Sequence, residues 1–384
     1  MEINKETGEI KYEPKGKGSF WISKKAIGLL ISYKSTALEI AAYLVMAKHT
    51  DKEGMLTTSG IKSIHKATGC SHSVIQRAVD RLLERAEGGK ETPLHLTRLI
   101  YKADEWQELK KTAFPPAPFE RAEVRYVIND YQAKPEDKIW ISNELITGYG
   151  KFSQPLKKLK ACGDIAARIL LIGYRESNLE QYGGISPRAF HHSYTMEKIG
   201  GEHGFVMWHG KSEGESSNLI PEIFTKNSTT EQKDEFWEAL QALDEAGFIY
   251  QMVSVMDREG ENHQAQVIYE LDAKSRHGYK PTGEQGLAGK TAKLANLWGY
   301  PVTDSIGRFY GNYAAIVQAG KPHIVGIYRL RFRVTNNKNH GIAAAWARIY
   351  QGQKETKELL DDLIAKSEIK SDLTTKAKEK ESIL

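Results

Sequence analysis

Residues 57–85, TTSGIKSIHKATGCSHSVIQRAVDRLLER, predict two short helices joined by a tight turn at Gly69. In the first helix, Ile61 and Ile64 are three residues apart. The second helix has apolar residues at helical spacing, namely Val74, Ile75, Ala78, Val79 and Leu82. Because residues three or four apart lie on the same side of a helix, both helices are expected to bury one face against a common core.

The remaining face of the second helix is polar and basic. It consists of Ser71, His72, Ser73, Gln76, Arg77, Arg81 and Arg85. Hydroxyl groups at a helix N-terminus can meet phosphates, and Gln and Arg can hydrogen-bond base edges. The pattern favours a DNA-binding helix-turn-helix over a solvated helical hairpin in an unrelated fold. The expected DNA contacts are Ser71, His72, Ser73, Gln76, Arg77 and Arg81, with Lys62 and Lys66 from the first helix.

Composition sets broad limits on the class of protein. The chain has 384 residues, 40% of them hydrophobic and 27% charged, and a formal net charge of +5. This length suits two or three domains, and the mildly basic charge permits nucleic-acid binding without requiring it. No apolar run approaches the roughly 20 residues that span a bilayer, and the N-terminus lacks the apolar stretch of a signal peptide. A cytoplasmic protein with no membrane partner is expected.

Signals of metal binding or catalysis are weak. Neither Cys70 nor Cys162 belongs to a CxxC or Cys/His cluster, so structural zinc is not expected. The stretch GEQGLAGKT (283–291) resembles a phosphate-binding loop, but five residues instead of four separate Gly283 and Gly289. No Ser/His/Asp or paired-carboxylate arrangement stands out by spacing. We therefore expect a protein that is not an enzyme and uses no cofactor or metal.

A repeated string indicates an internal duplication. Trp21-Ile22-Ser23 returns as Trp140-Ile141-Ser142. In the first copy, a helix over 37–49, the helix-turn-helix and a strand over 94–106 have the order of a winged helix. Lys90 and Arg98 fall on its wing and are expected to contact DNA. The second copy has a similar predicted order: helices over 164–182 and 186–200, a strand-like 204–210, a helix over 230–246, and a hairpin over 248–273.

The two copies differ in charge. The outward face of the helix over 230–246 presents Glu231, Asp234, Glu238, Gln241, Asp244 and Glu245, opposed only by Lys233. Carboxylates in a DNA groove would oppose phosphates, so this helix is not expected to read DNA. Its acidic face is either solvated or a contact for a basic partner or a second protomer. If the second copy touches DNA, better candidates are Arg188, His191 and His192 on its preceding helix.

The C-terminal third predicts a helix at 293–299, a strand over 323–335 and a helix over 340–366, followed by a disordered or frayed tail. Arg329, Arg331 and Arg333 alternate along the strand, so they share one sheet face. They are expected either to bind phosphates or to pair with carboxylates of a covering helix. Those carboxylates would be Glu358, Asp361 and Asp362.

The sequence thus predicts an α+β protein with tandem winged helix-turn-helix domains and a C-terminal α/β extension. The predicted divisions are a polar arm (1–17), winged helix 1 (18–112), a Pro-rich linker (113–138), winged helix 2 (139–273), the extension (274–366) and a charged tail (367–384).

This organisation resembles the tandem winged-helix replication initiators of plasmids and the helix-turn-helix replication or regulatory proteins of prophages and conjugative elements. The resemblance is carried by the repeated WIS strings, residues 57–85, ARILLIGYRESNLEQYGGIS (167–186) and VGIYRLRFR (325–333). The insertion at about 201–228 departs from it. The resemblance implies a sequence-specific duplex-DNA-binding protein, with winged helix 2 available for homodimer formation. The alternative is a protein-interaction module whose winged helices do not read bases.

Overall fold

The computed structural model describes residues 2–3, 10–11, 18–50, 57, 59–87, 90–93, 96–101, 123–128, 133–150, 152–202, 204–224, 226–257, 265–274, 286–300, 312–318, 322–334 and 340–381. These residues form an α+β protein with antiparallel strand pairs. The chain divides into two compact units. The first comprises residues 1–175, 222–246 and 332–336, and the second comprises 176–221, 247–331 and 337–384. None of the helices in the described ranges combines the length and the apolar character that spanning a bilayer would require.

The first unit is mainly helical. Its helices are α1 (Lys24–Ser32), α2 (Ala37–Lys48), α3 (Ile61–Thr68), α4 (His72–Leu83), α5 (Glu144–Thr147), α6 (Pro155–Cys162), α7 (Asp164–Arg175), α8 (Ile220–Ile223, which ends in this unit) and α9 (Thr230–Glu245). Its strands form four pairs: β1 (Glu2–Ile3) with β2 (Ile10–Lys11), β3 (Ser19–Ser23) with β8 (Lys138–Ser142), β4 (Glu84–Glu87) with β5 (Lys90–Pro93), and β6 (Leu96–Tyr101) with β7 (Glu123–Ile128).

The duplicated strings lie in β3 and β8, which pair with each other. The pairing is antiparallel and places Trp21 opposite Trp140. Each string then leads into a helix. After β3, the Ser23 hydroxyl accepts a hydrogen bond of 3.0 Å from the Ala26 amide and caps α1. The two repeated strings therefore form one two-stranded element.

Helices α2 and α7 form the apolar centre of this unit and pack against each other. Thr36 and Glu39 form a capping box at the start of α2, and the Asp164 carboxylate accepts a further bond of 2.8 Å from the Ala37 amide. The first turn of α2 is thus capped by groups from both copies. Helix α4 packs on α2, and α9 packs on α7. Each of the two central helices is therefore covered by another helix.

The second unit contains a six-stranded sheet with the order β14–β13–β16–β11–β12–β15. Its strands are β11 (Phe190–Glu202), β12 (Phe205–Ser217), β13 (Ile249–Met256), β14 (Val267–Lys274), β15 (Asn312–Gln318) and β16 (His323–Leu330). A separate small pair is β9 (Ser177–Asn178) with β10 (Gly184–Ile185), and the helices are α10 (Leu287–Leu297) and α11 (His340–Glu381). The predicted hairpin over 248–273 is confirmed, because β13 and β14 pair in antiparallel register.

The predicted helix over 186–200 is wrong. Pro187 lies in a turn closed by a 2.9 Å hydrogen bond from the Ala189 amide to the Ser186 carbonyl, and strand β11 follows. Proline suits the second position of such a turn as well as a helix start, so the local signal was ambiguous. Strand β11 pairs with β12 and β16, and this pairing makes the segment a strand instead of a helix. Arg188 is therefore in the turn, and His191 and His192 are in a strand.

Several predicted boundaries also change. The helix predicted over 164–182 ends at Arg175, and α4 ends at Leu83, so Arg85 belongs to β4. The predicted linker contains strand β7. The segment predicted as a disordered or frayed tail continues α11 to Glu381. Two contacts hold this continuation against α10 and the residue that follows it. The Trp298 indole donates to the Ser367 hydroxyl at 3.1 Å, and Lys293 pairs with Glu368 at 2.7 Å.

Candidate nucleic-acid interface

Helices α3 and α4 are joined by a tight turn at the predicted glycine. Gly69 has φ +70°, and its amide donates to the His65 carbonyl at 2.7 Å. A side chain is strained in this left-handed conformation, which explains glycine here. After the turn, the Cys70 amide donates to the Thr68 hydroxyl at 3.3 Å, and that hydroxyl donates to the Ile64 carbonyl at 2.8 Å. Backbone and side-chain bonds together fix the angle at which α4 leaves α3.

Histidine side chains add a second link across the turn. The Nδ1 atom of His65 is 2.6 Å from the Cys70 carbonyl oxygen. A carbonyl can only accept, so His65 carries its proton on Nδ1 in this arrangement. The His65 ring also contacts the His72 ring edge to face, with 4.9 Å between centroids. His72, the first residue of α4, is therefore held against α3.

The core side of α4 matches its predicted spacing, with one exception. Ile75, Ala78, Val79, Leu82 and Leu83 are buried. Val74 was predicted to join this core, but it is 36% exposed, because its position faces outward beside Ser73 and Arg77. An apolar side chain is thus available on the outer face. Such a group can contact a thymine methyl as well as solvent.

The outer face of α4 contains the predicted contact residues, although several of them already have partners within the protein. Ser71, His72, Ser73, Arg77 and Arg81 are exposed, and Gln76 is half-buried. The Gln76 amide donates to the Asp80 carboxylate at 2.8 Å. Arg81 donates to the Glu39 carboxylate at 3.2 Å and so links α4 to the capping box of α2. Arg77 makes no ion pair with any carboxylate that the structure describes, which leaves its guanidinium available to a ligand.

Asp80 also lies on the outer face of α4, although it was not among the residues predicted for that face. It is exposed one turn beyond Gln76 and Arg77. The Asp80 carboxylate lowers the net positive charge of the face and would repel phosphates. It also holds the Gln76 side chain through their hydrogen bond. Helical spacing alone places residue 80 on the outer side, and this signal was available in the sequence.

Lysines surround the turn on two neighbouring helices. Lys62 and Lys66 are exposed on α3, as predicted. Helix α6 packs against α3 and brings Lys157 and Lys160 to the turn, which the sequence did not predict. The Lys160 ammonium donates to the Cys70 sulfur at 3.1 Å. The run PLKKLKAC is visibly basic, but its position beside residues 69–70 depends on tertiary packing.

The segment predicted to form a wing contains two antiparallel strand pairs, β4 with β5 and β6 with β7. Lys90 begins β5, and Arg98 lies in β6 opposite Tyr126 of β7. The side chains of Lys90 and Arg98 lie outside the described residues. Thr57 connects this hairpin to the helices: its amide donates to the Tyr126 carbonyl at 2.9 Å and its hydroxyl to the Met46 carbonyl at 3.0 Å. The strand β7 and helix α2 are thereby joined just before α3.

Helix α9, which packs on α7 as α4 packs on α2, has the opposite charge. Phe236, Leu240 and Leu243 are buried as predicted. Its exposed residues include Glu231, Asp234, Glu238, Gln241 and Glu245. Asp244 was predicted to face outward but is half-buried. The remaining carboxylates still leave an acidic outer face, on which Lys233 is the exposed cation.

The three arginines predicted on one sheet face do not form a phosphate-binding row. Strand β16 ends at Leu330, so only Arg329 lies within it. Arg329 is buried, pairs with Glu270, and donates from Nε to the Gly183 carbonyl at 2.5 Å. Burial is the largest single influence and lowers the pKa of this guanidinium, but Glu270 and Tyr250 together outweigh burial, so the pKa is raised. The predicted role of Arg329 in DNA binding is therefore wrong.

The other two arginines follow the strand. Arg331 donates to the Gly247 carbonyl at 2.5 Å, and Arg333 is half-buried in the first unit. Two of the three carboxylates predicted to pair with the arginines have other partners: Asp361 pairs with Lys290 and Asp362 with Lys366. Arg329 instead pairs with Glu270 on β14 of the same sheet, because a buried charge requires a partner inside the same core.

In the ranges that the structure describes, no group of three or more His, Cys, Asp or Glu side chains could hold a metal ion. Comparison with models of known protein families, with curated proteins and with solved structures gave no match.

Proposed function

We propose that this protein binds duplex DNA in a sequence-specific manner and that α4 is its recognition helix. The observation that carries the proposal is the α3–turn–α4 arrangement, in which Gly69 fixes the turn and the outer face of α4 offers Ser73, Gln76 and Arg77. In helix-turn-helix proteins, the second helix enters the major groove and its N-terminal residues meet base edges. Arginine and glutamine are well suited to guanine and adenine there.

The proposed fold of the DNA-binding part is a winged helix. Helices α2, α3 and α4 are followed by the β6–β7 hairpin, which supplies a wing. The second copy contributes α7 and α9 in a related packing, so a tandem winged-helix origin accounts for the repeated WIS strings. In this proposal, the two copies have different roles because the outer face of α4 is basic and that of α9 is acidic.

The acidic face of α9 supports a role other than base reading for the second copy. Basic residues neutralise phosphates and provide much of the sequence-independent affinity for DNA. The carboxylates of α9 would remove that affinity if they approached the backbone. We therefore assign base reading to α4 and leave α9 to solvent, to a second protomer or to a basic protein.

The proposed cellular role is that of an origin-binding replication initiator or a transcriptional regulator of a mobile element. Both roles use the same DNA-binding chemistry, and neither requires a catalytic step by this chain. An initiator is expected to occupy tandem repeats and to melt adjacent AT-rich DNA. A regulator is expected to occupy an inverted repeat that overlaps a promoter. Footprinting on the DNA that flanks its own gene separates the two.

A protein-interaction module is the second candidate function. It is favoured by the acidic face of α9 and by the 41% exposure of Trp140 on β8. Aromatic residues are enriched at protein interfaces, and an acidic face attracts a basic partner. In that case the helix-turn-helix would serve as scaffold, and duplex DNA would not be a specific ligand.

Selection from a random duplex library, followed by fluorescence anisotropy at several salt concentrations, tests the proposal. We expect enrichment of one sequence family, and an affinity for that family that exceeds random duplex by about 10³-fold or more. The logarithm of the binding constant should fall linearly with the logarithm of salt concentration. Failure to enrich any sequence, together with salt-insensitive binding, would exclude the proposal and favour the protein-interaction module.

A further inference from the structure

We infer that helix α6 of the second copy completes the DNA interface of the first copy by supplying two phosphate-binding lysines, Lys157 and Lys160. The inference rests on the proposed function. It assigns to the second copy a contact with the DNA backbone that neither the acidic helix α9 nor strand β16 provides. We call these two residues the turn lysines.

The turn lysines lie against Gly69 and Cys70, two of the three residues that connect α3 to α4. A Cβ atom built on Gly69 would lie 3.8 Å from Cδ of Lys157, so the aliphatic stem of Lys157 crosses the turn. The Lys160 ammonium is 3.1 Å from the Cys70 sulfur. Both side chains are nevertheless exposed. Lysine can pack its stem on a surface while its ammonium group reaches an anion, and the exposure of both side chains leaves them able to do so.

The turn is where a bound duplex would place phosphates. The first helix of a helix-turn-helix crosses the DNA backbone, and the N-terminus of the second points its amides toward DNA. Free amides and the helix dipole at the start of α4 favour an anion. Ser71 and Ser73 add exposed hydroxyl groups at the same end. Two ammonium groups beside this end extend an anion-binding surface built from three helices.

The third lysine of α6 provides an internal contrast. Lys158 is half-buried, and its ammonium lies over the Phe152 ring, 4.1 Å from the centroid. Its position on the helix turns it away from residues 69–70, where its two neighbours lie. The charge of α6 is therefore divided between a pair aimed at the turn and one lysine occupied by an aromatic ring.

The test compares Lys157→Gln/Lys160→Gln with Lys158→Gln, using salt titrations of binding to the selected duplex and to random duplex. Each phosphate contact contributes about 0.9 to the slope of log affinity against log salt, so the double variant should lose nearly two units. At 0.1 M salt the affinity should fall on the order of tenfold per lysine. The preference for selected over random duplex should be unchanged, and Lys158→Gln should behave as wild type.

Fold and charge are controlled separately. Circular dichroism and the urea midpoint establish that the double variant is folded, and Lys157→Arg/Lys160→Arg should retain the wild-type slope. An unchanged slope in the folded Gln variant, while the wild-type chain binds duplex with the expected salt dependence, overturns the inference and leaves the proposed function intact. An equal loss of slope in Lys158→Gln also overturns it. Absence of specific duplex binding by the wild-type chain instead defeats the proposed function.

Discussion

Trp21 and Trp140 lie directly opposite each other across the antiparallel β3–β8 pair, although 118 residues separate them in the chain. Each is the first residue of one of the two repeated WIS strings, so the two strings pair with each other. Their surroundings differ. Trp21 is 8% exposed and Trp140 is 41% exposed, while the Lys138 ammonium lies 4.1 Å from the centroid of the Trp21 ring.

This asymmetry predicts different stabilities for two matched variants. Trp21→Ala removes a buried aromatic side chain and should cost about 3–5 kcal/mol in free energy of unfolding. Trp140→Ala removes mainly a cross-strand contact and should cost about 1 kcal/mol. Urea denaturation with an unchanged m-value measures both. Tyr149→Ala, which alters a side chain 57% exposed, serves as the control, and similar losses at positions 21 and 140 would contradict the asymmetry.

Arg77 should determine base preference at one or two positions of the target. Its guanidinium makes no ion pair in the described part of the chain, and it lies one turn into the proposed recognition helix. Arg77→Ala should cost about 1–3 kcal/mol of binding free energy on the selected duplex, concentrated at those base pairs. Anisotropy with single-base variants of the duplex measures this loss.

Two further variants delimit the Arg77 result. Lys233→Ala changes an exposed cation on α9, the counterpart of α4, and should leave the base preference intact. Asp80→Asn removes the carboxylate from the outer face of α4 and should raise affinity for all duplexes. Equal losses on selected and random duplex for Arg77→Ala would show that Arg77 only contacts phosphate.

The buried pair of Arg329 and Glu270 should matter for stability and not for DNA binding. Glu270→Gln leaves the buried guanidinium without its counter-charge and should cost about 3–5 kcal/mol. Asp362→Asn, which breaks an exposed i,i+4 pair with Lys366, should cost under about 1 kcal/mol. A folded Arg329→Met variant should retain the wild-type salt slope. A smaller slope would restore Arg329 to the DNA interface.

Local signals explain which parts of the structure were predictable. The α3–turn–α4 segment was predictable because its helices follow from apolar spacing and its turn from one glycine. Both signals lie within residues 57–85. Helix α9 and the β13–β14 hairpin are equally local. Strand β11 was missed because Pro187 suits a turn as well as a helix start, and the decision came from pairing with β12 and β16.

Contacts between distant segments explain the remaining errors at the candidate site. The partner of Arg329 is 59 residues away, and nothing in the alternating strand pattern identifies Glu270. Lys160 reaches Cys70 across 90 residues, so the position of α6 beside the turn could not be deduced from its basic composition. The residue types indicated which side chains could carry positive charge. The burial of those side chains and the identity of their partners depended on tertiary packing.

The acidic face of α9 gives a test of the proposed division between the two copies. A triple variant with Asp234→Lys, Glu238→Lys and Gln241→Lys should fold, because these exposed side chains project away from the core formed by Phe236, Leu240 and Leu243. Added positive charge should leave specific affinity intact and leave unchanged or raise affinity for random duplex, since α9 is not expected to read bases.

Sedimentation of the same triple variant distinguishes the two uses of the face. If α9 forms a contact between protomers, reversal of charge should convert a wild-type dimer to folded monomers. If the face is only solvated, wild type and variant should sediment alike. Loss of base discrimination in a variant that keeps its fold and its oligomeric state would show that α9 reads DNA, because no other change would then account for the loss. That result would overturn the assignment of base reading to α4 alone.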